Sequence, residues 1–193
     1  MTKRADAKQD SLKRILDAGS VRLRREGLSG AAIAPVMADA GLTHGAFYSH
    51  FRSKEALAIA AFRHALTEGR PRWMRQARGT TWRERLASLA AYYLLPRQRD
   101  MPDEGCAFAA LVSEVGRAPD AFRQAFGEEL IQSLHAIAET GDTPDAARLD
   151  DAIALMAVCV GGLSLARAVG DPAFSDHILK VATDAAARLA TAD

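Results

Sequence analysis

The chain has 193 residues, 49% of them hydrophobic and 25% charged, which is enough for one sizeable core and excludes disorder as the default state. A formal net charge of +1 excludes a uniformly basic nucleic-acid binder, yet the charge is unevenly spread: residues 1–54 hold ten Lys and Arg against five Asp and Glu, a balance of +5, and the 15 against 19 of the remainder leave −4. Two cysteines, Cys106 and Cys159, are too few for a disulfide framework and lack the paired spacing of a zinc site, which fits a reducing compartment and gives no support to a metal or other cofactor.

The opening run MTKRADAKQDSLKR is charged with no apolar stretch behind it, so no signal peptide is expected. The longest uncharged apolar run, Ala152 to Ala166, is shorter than the roughly 18–20 residues of a membrane span. A cytoplasmic protein without membrane contact is expected.

Apolar residues recur at threes and fours, Ala is abundant and alternating β-branched runs are missing, so the predicted fold class is all-α, with about nine helices. In the first helix Leu12, Ile15, Leu16, Gly19 and Leu23 form one face, Lys13, Arg14, Arg22, Arg24 and Arg25 lie largely off it, and Gly27 closes the segment. Ser29 is placed as the N-cap of a short second helix that carries Ile33, Val36 and Met37 inward and stops at Gly41, with Pro35 expected in or near its first turn. Thr43 is expected to cap a very short third helix through His50, and Ser53 a fourth that carries Leu57, Ile59, Phe62 and Leu66. The Arg, Pro, Gly and Thr texture of 69–80 predicts the first boundary between regions. Longer helices are expected near 81–95, 105–117, 119–139, 144–169 and 172–190, separated by Pro96, Pro102, Pro119, Gly141 with Pro144, and Gly170 with Pro172.

Residues 31–51, AAIAPVMADAGLTHGAFYSHF, hold what a helix-turn-helix needs: a short amphipathic helix, a turn centred on Gly41 and a second short helix. That second helix exposes His44, Tyr48 and His50 beside the small Gly45 and Ala46. Small residues let a helix approach base edges, and hydroxyl and imidazole groups supply hydrogen bonds. Phe47 and Phe51 read as core.

The run GLTHGAFYSHFRSKEAL resembles the signature of the TetR family of bacterial regulators, and the likeness extends back through Ile33, Val36 and Ala40 to Ile15, Leu16, Ala18 and Gly27. The resemblance implies a three-helix DNA-binding domain over 1–54, followed over 55–193 by a larger helical domain for effector binding and dimerisation. It implies phosphate contacts from Thr43, Tyr48, His50 and Lys54, and places His44, Gly45 and Ala46 against the bases, with His44 standing where many members have Lys. Ser29 joins this set, and Lys3 and Arg4, with Lys8, form a basic arm that either adds phosphate contacts or is merely solvated. Met37 stands where members usually have a small residue, which implies altered helix packing. The implied partners are a double-stranded operator, a second copy of the chain joined through the last two helices (144–190, where Gly161 and Gly162 permit close approach), and a small-molecule effector. A buried intrachain helix explains the apolar run equally well.

Candidates to line an effector site are Trp73, Trp82, Tyr92, Tyr93, Phe108, Phe122, Phe126, His135 and Met156, against the simpler reading that most are core. Cys106, in DEGCAF, is placed at a helix N-terminus. Family members with a Gly-Cys here include sensors of electrophiles or oxidants, which makes a thiol-sensing repressor the alternative to a ligand-released one, and a packed, inert cysteine the simpler reading. A helical enzyme or carrier is the remaining class. Against it, His64, His135 and His177 have no neighbouring nucleophile or metal-ligand spacing, and no catalytic set is expected.

Overall fold

The structure is a computed structural model that describes residues 3–140 and 146–189; the expected break at Gly141 and Pro144 lies outside the described residues. Among those described there is no strand. Ten α-helices are present: α1 (Lys3–Glu26), α2 (Ile33–Asp39), α3 (His44–Phe47), α4 (Lys54–Met74), α5 (Trp82–Tyr93), α6 (Pro96–Asp100), α7 (Ala107–Val115), α8 (Asp120–Ala138), α9 (Ala146–Ala168) and α10 (Pro172–Ala186). The one not anticipated is α6, where Pro96 does not merely separate helices but occupies the first helical position, at which its missing N–H has no partner to lose.

The helices gather into two compact units, one of Met1–Thr67 with Pro102–Phe126 and one of Glu68–Met101 with Gly127–Asp193. In the first, Ile15, Val36, Met37, Ala40, Phe47, Phe51 and Leu57 make a buried cluster, with Leu12, Leu16 and Ile33 packed against it. Met37 is thus accommodated by burial. Gly19 lets α1 lie close on α4, since a Cβ there would sit 3.0 Å from the Cβ of Ala61. Helix α1 ends where expected, at Gly27, whose φ of 68° suits glycine alone. The Glu114 carboxylate of α7 occupies the space beside that glycine and accepts from the Leu28 amide at 3.2 Å.

Ser29 does not cap α2. It lies inside a 3-10 turn, Gly27–Ala31, where its hydroxyl donates to the Glu26 carbonyl at 2.7 Å, and Ala32 is the residue that precedes the helix. Pro35 is the third residue of α2, within the first turn as anticipated.

The second unit is built on α5, α9 and α10, with Leu86, Leu89, Leu155, Cys159, Leu163 and Leu179 buried. Thr81 starts α5 with a capping box, exchanging side-chain bonds with Glu84, and Asp171 caps α10 ahead of Pro172. Gly162 brings α9 and α10 together: a Cβ on it would meet the Cβ of Ala182 at 2.6 Å.

The expected boundary near 69–80 falls partly inside α4, which continues through Pro71 to Met74. Proline leaves the carbonyl four residues earlier without its helical donor. Here Thr67 and Pro71 are both exposed, so water can serve that carbonyl. The stretch is anchored by Arg70, which bonds the buried Glu129 carboxylate at 2.5 Å and Ser133 at 3.0 Å, and by the Trp73 N–H, which donates to the Leu89 carbonyl at 2.9 Å.

Helix α9 is long and apolar enough over Ala147–Ala168 to cross a membrane by length and composition, a span that exceeds the uncharged 152–166 run by including Arg148, Asp150, Asp151 and Arg167 at its ends. Its Ala152, Leu155, Met156, Cys159, Leu163 and Ala166 are buried inside the fold.

Candidate nucleic-acid interface

The turn between α2 and α3 is fixed by backbone chemistry. The Gly41 amide donates to the Ala38 carbonyl and the Leu42 amide to the Met37 carbonyl, both at 2.9 Å, with Gly41 at φ 64°. This is a Schellman end, in which one left-handed residue lets two otherwise unpaired helix carbonyls find donors. From α1, the Arg14 guanidinium donates to the Gly41 carbonyl at 3.2 Å and occupies the space a side chain at 41 would need.

Thr43 precedes α3 in the extended conformation of an N-cap, but its hydroxyl makes no capping bond. The regular helix stops at Phe47, short of the expected His50. Turn hydrogen bonds from Ser49 to Ala46 and from His50 and Phe51 to Phe47 carry the coil onward. Phe47 is fully buried and stacks on Phe51 with ring centroids 5.8 Å apart, so it pins the short helix to the core.

The other side of α3 faces out. His44 and Gly45 are exposed, Ala46 is half-buried, and nothing in the chain lies within 4 Å of where a Gly45 side chain would begin. Tyr48 is 66% exposed, propped edge-on by Phe47 at 5.1 Å and beside His44 at 5.8 Å. A large aromatic held out of the core beside a glycine with no packing duty is what a surface that receives another molecule requires.

His50 is half-buried, its Nε2 2.9 Å from the Ser11 hydroxyl of α1; burial, and then the charge of Lys8, hold its pKa below the ordinary value. Ser53 accepts from the Ala56 amide at 3.0 Å and so caps α4, with Lys54 exposed as the first residue of that helix. Helix starts of this kind favour anions. The structure therefore groups His44, Gly45, Ala46, Tyr48 and His50 on α3 and the turn after it, with Thr43 immediately before the helix. Ser29 sits apart in the 3-10 turn, and the Lys3 and Arg4 side chains lie outside the described residues. Ser11 and Arg14, which hold His50 and the turn, had no local sequence signal, since their partners are 39 and 27 residues away.

The aromatic candidates divide between the units. In the first, Phe108, Phe122 and Phe126 surround Phe62, with ring centroids 5.5–5.7 Å from it. In the second, Trp73 packs on Tyr93 at 5.0 Å, while Trp82 donates to Asp151 at 2.8 Å beneath the Arg148 guanidinium; Met156 is buried, Tyr92 half-buried and His135 exposed. Cys106 is half-buried immediately before α7, and Cys159 is fully buried in α9. Among the described residues no group of three or more His, Cys, Asp or Glu could hold a metal ion.

On α9, Ile153, Ala157 and Leu165 are exposed with half-buried Gly161 and Ser164 between, and on α10 Phe174 and Val181 are exposed. Leu165 is 60% exposed and Phe174 54%. Gly161 has open space where a side chain would begin, whereas Gly162 is spent on the crossing with α10.

Residues 15–61 match the profile of the family described as bacterial regulatory proteins, tetR family. No curated protein sequence matches the chain. Similar solved structures include a TetR-family transcriptional regulator from Cytophaga hutchinsonii, 23% identical with a TM-score of 0.75 over 100% of this chain and 99% of that one. A TetR transcriptional regulator from Chloroflexus aurantiacus is 22% identical, with a TM-score of 0.74 over 94% of each chain. The reduced form of NemR from E. coli is 22% identical, with a TM-score of 0.72 over 91% of this chain and 95% of that one. The all-α fold, a helix-turn-helix segment followed by a helical domain, is the TetR fold.

Proposed function

We propose that this chain is a tetR-family transcriptional repressor that grips a palindromic operator as a homodimer through α2, the turn and α3, and leaves it when a small molecule binds the helical part. The observation that carries the reading is the division of α3 and the residue after it between a fully buried Phe47 and an outer side on which His44 is exposed, Tyr48 is 66% exposed and nothing lies within 4 Å of where a Gly45 side chain would begin. Tyr48, Thr43, His50 and Lys54 hold phosphates, His44, Gly45 and Ala46 meet base edges, and Lys3, Arg4 and Ser29 add contacts at the margin. Residues 1–54 form the reading domain and 55–193 the effector and dimer domain. No catalytic residue is needed, and the site of action is the compartment that holds the DNA.

The proposed second copy packs on the exposed stripe of α9 and α10, where Leu165, Phe174 and Gly161 supply apolar surface and room for close approach. Two heads then read successive major grooves about 34 Å apart, and an effector that favours another head spacing releases the DNA. Trp73, Trp82, Tyr92, Tyr93, Phe108, Phe122, Phe126, His135 and Met156 remain the residues proposed to bear on that effector.

The test is binding of the purified chain to the intergenic DNA upstream of its own coding sequence, against unrelated DNA at near-physiological salt, beside Tyr48→Ala. A palindromic footprint that weakens roughly tenfold or more in the variant, about 1.4 kcal/mol, is expected. Equal, salt-sensitive binding to both DNAs, unchanged by the substitution, sinks the proposal.

A further inference from the structure

Ser11 has one hydroxyl proton and two neighbours. Its Oγ donates to the Lys8 backbone carbonyl at 2.9 Å and lies 2.9 Å from Nε2 of His50. A serine hydroxyl is one donor with two acceptor lone pairs. The Lys8 carbonyl can only accept; assigning the hydroxyl hydrogen to it leaves Ser11 to accept from His50 and puts the single proton of the neutral imidazole on Nε2. Nδ1 then carries a lone pair and is the one ring nitrogen left for another partner. A phosphate oxygen is an acceptor only, so Nδ1 can bond it only when protonated, that is, when His50 is an imidazolium.

We propose that His50 is a proton-linked phosphate clamp whose tautomer is set by Ser11 as a positioning residue: DNA binding takes up one proton at Nδ1 of His50, and DNA affinity falls as pH rises. The inference rests on the DNA-binding reading above. From α1 the charged group that bears on the ring is Lys8, and from its own segment the neighbour is the uncharged Phe51, with ring centroids 6.4 Å apart. Burial, then Lys8, hold the pKa of the free ring below its ordinary 6.5. A bound phosphate acts in the opposite sense and raises the pKa.

The sign follows from linkage. The complex holds more protons than the free protein between the two pKa values, so affinity is highest and level below the free-state value. It weakens through the window above that value, by at most about tenfold per pH unit, and levels again above the pKa of the complex.

The experiment takes a duplex selected by the protein from a random-sequence library and measures its Kd from pH 5.5 to 8.5 for the wild type, His50→Gln and Ser11→Ala. In parallel, nitrogen-15 NMR of the free protein reads the His50 tautomer. Expected are an Nε2–H tautomer, a wild-type Kd that rises with pH, a much flatter profile for His50→Gln, which keeps a donor for Ser11 but does not titrate, and a flatter profile for Ser11→Ala, whose ring is free to place its neutral proton on Nδ1. A neutral ring protonated on Nδ1, a His50→Gln slope equal to that of the wild type, or a Ser11→Ala slope that is unchanged overturns the proposal. Failure to select any sequence, or selection that Tyr48→Ala leaves intact, counts against the DNA reading instead.

Discussion

Three short hydroxyl side chains stand near the starts of the N-terminal helices, and each does something different. Ser53 accepts from the Ala56 amide and caps α4, Thr43 holds the cap conformation without a capping bond, and Ser29 turns back to the Glu26 carbonyl. A hydroxyl chooses between the amide ahead and the carbonyl behind, and the tight 3-10 turn around Ser29 puts that carbonyl within reach. The two cysteines differ as sharply. Cys106 is half-buried before α7 and Cys159 fully buried in α9, so a maleimide is expected to label Cys106 first, with Cys159 reacting only as the fold opens; labelling at equal rates, followed by mass spectrometry, would contradict that burial. At this scale the pattern made legible the residues whose role is local: buried Phe47, exposed Tyr48 beside it, glycine in the turn. It could not reveal the Ser11 bond to His50, because nothing in a linear pattern reports a contact made across 39 residues.

Among the elements, the turn after α2 is held by two backbone bonds around a left-handed glycine. Gly41→Ala puts an L side chain at φ 64° and against the Arg14 guanidinium, so a loss of about 1–2 kcal/mol in denaturant unfolding is expected, with DNA binding weakened further because α3 is displaced. An unfolding midpoint equal to the wild type would mean the turn relaxes without cost. Helix positions were readable from periodicity and caps for α1, α5, α7, α8 and α10. Two of the misreadings share one cause, the treatment of proline as punctuation. At Pro96 proline begins a helix, and at Pro71 long-range anchors, the Arg70 bond to Glu129 and the Trp73 bond to Leu89, hold α4 on course past a residue that local propensity disfavours.

For the molecule as a whole, adjacent glycines on α9 serve different neighbours. Gly162 is filled by Ala182 of α10 within the chain, and Gly161 is left open in a stripe with Ile153, Ala157 and Leu165. If the proposed dimer packs on this stripe, Leu165→Glu is expected to convert it into monomers in sedimentation velocity while the helical circular dichroism persists; a sedimentation coefficient equal to the wild type's would count against a dimer on this face. The all-round apolar character of α9 was legible as a demand for more than one partner, but which side each partner takes was not, because Ala, Gly and Leu repeat on every side of it.

Phe47 is the fully buried residue of helix α3, while nothing lies within 4 Å of a side chain's position at Gly45 and the exposed His44 stands beside the exposed Tyr48 ring. Packing therefore leaves those two positions free to vary. On the proposed reading, in which these two positions meet base edges, exchanging them changes the DNA sequence recognised while folding is scarcely tested, so divergence of target is open to this scaffold by single substitutions that selection for stability does not oppose.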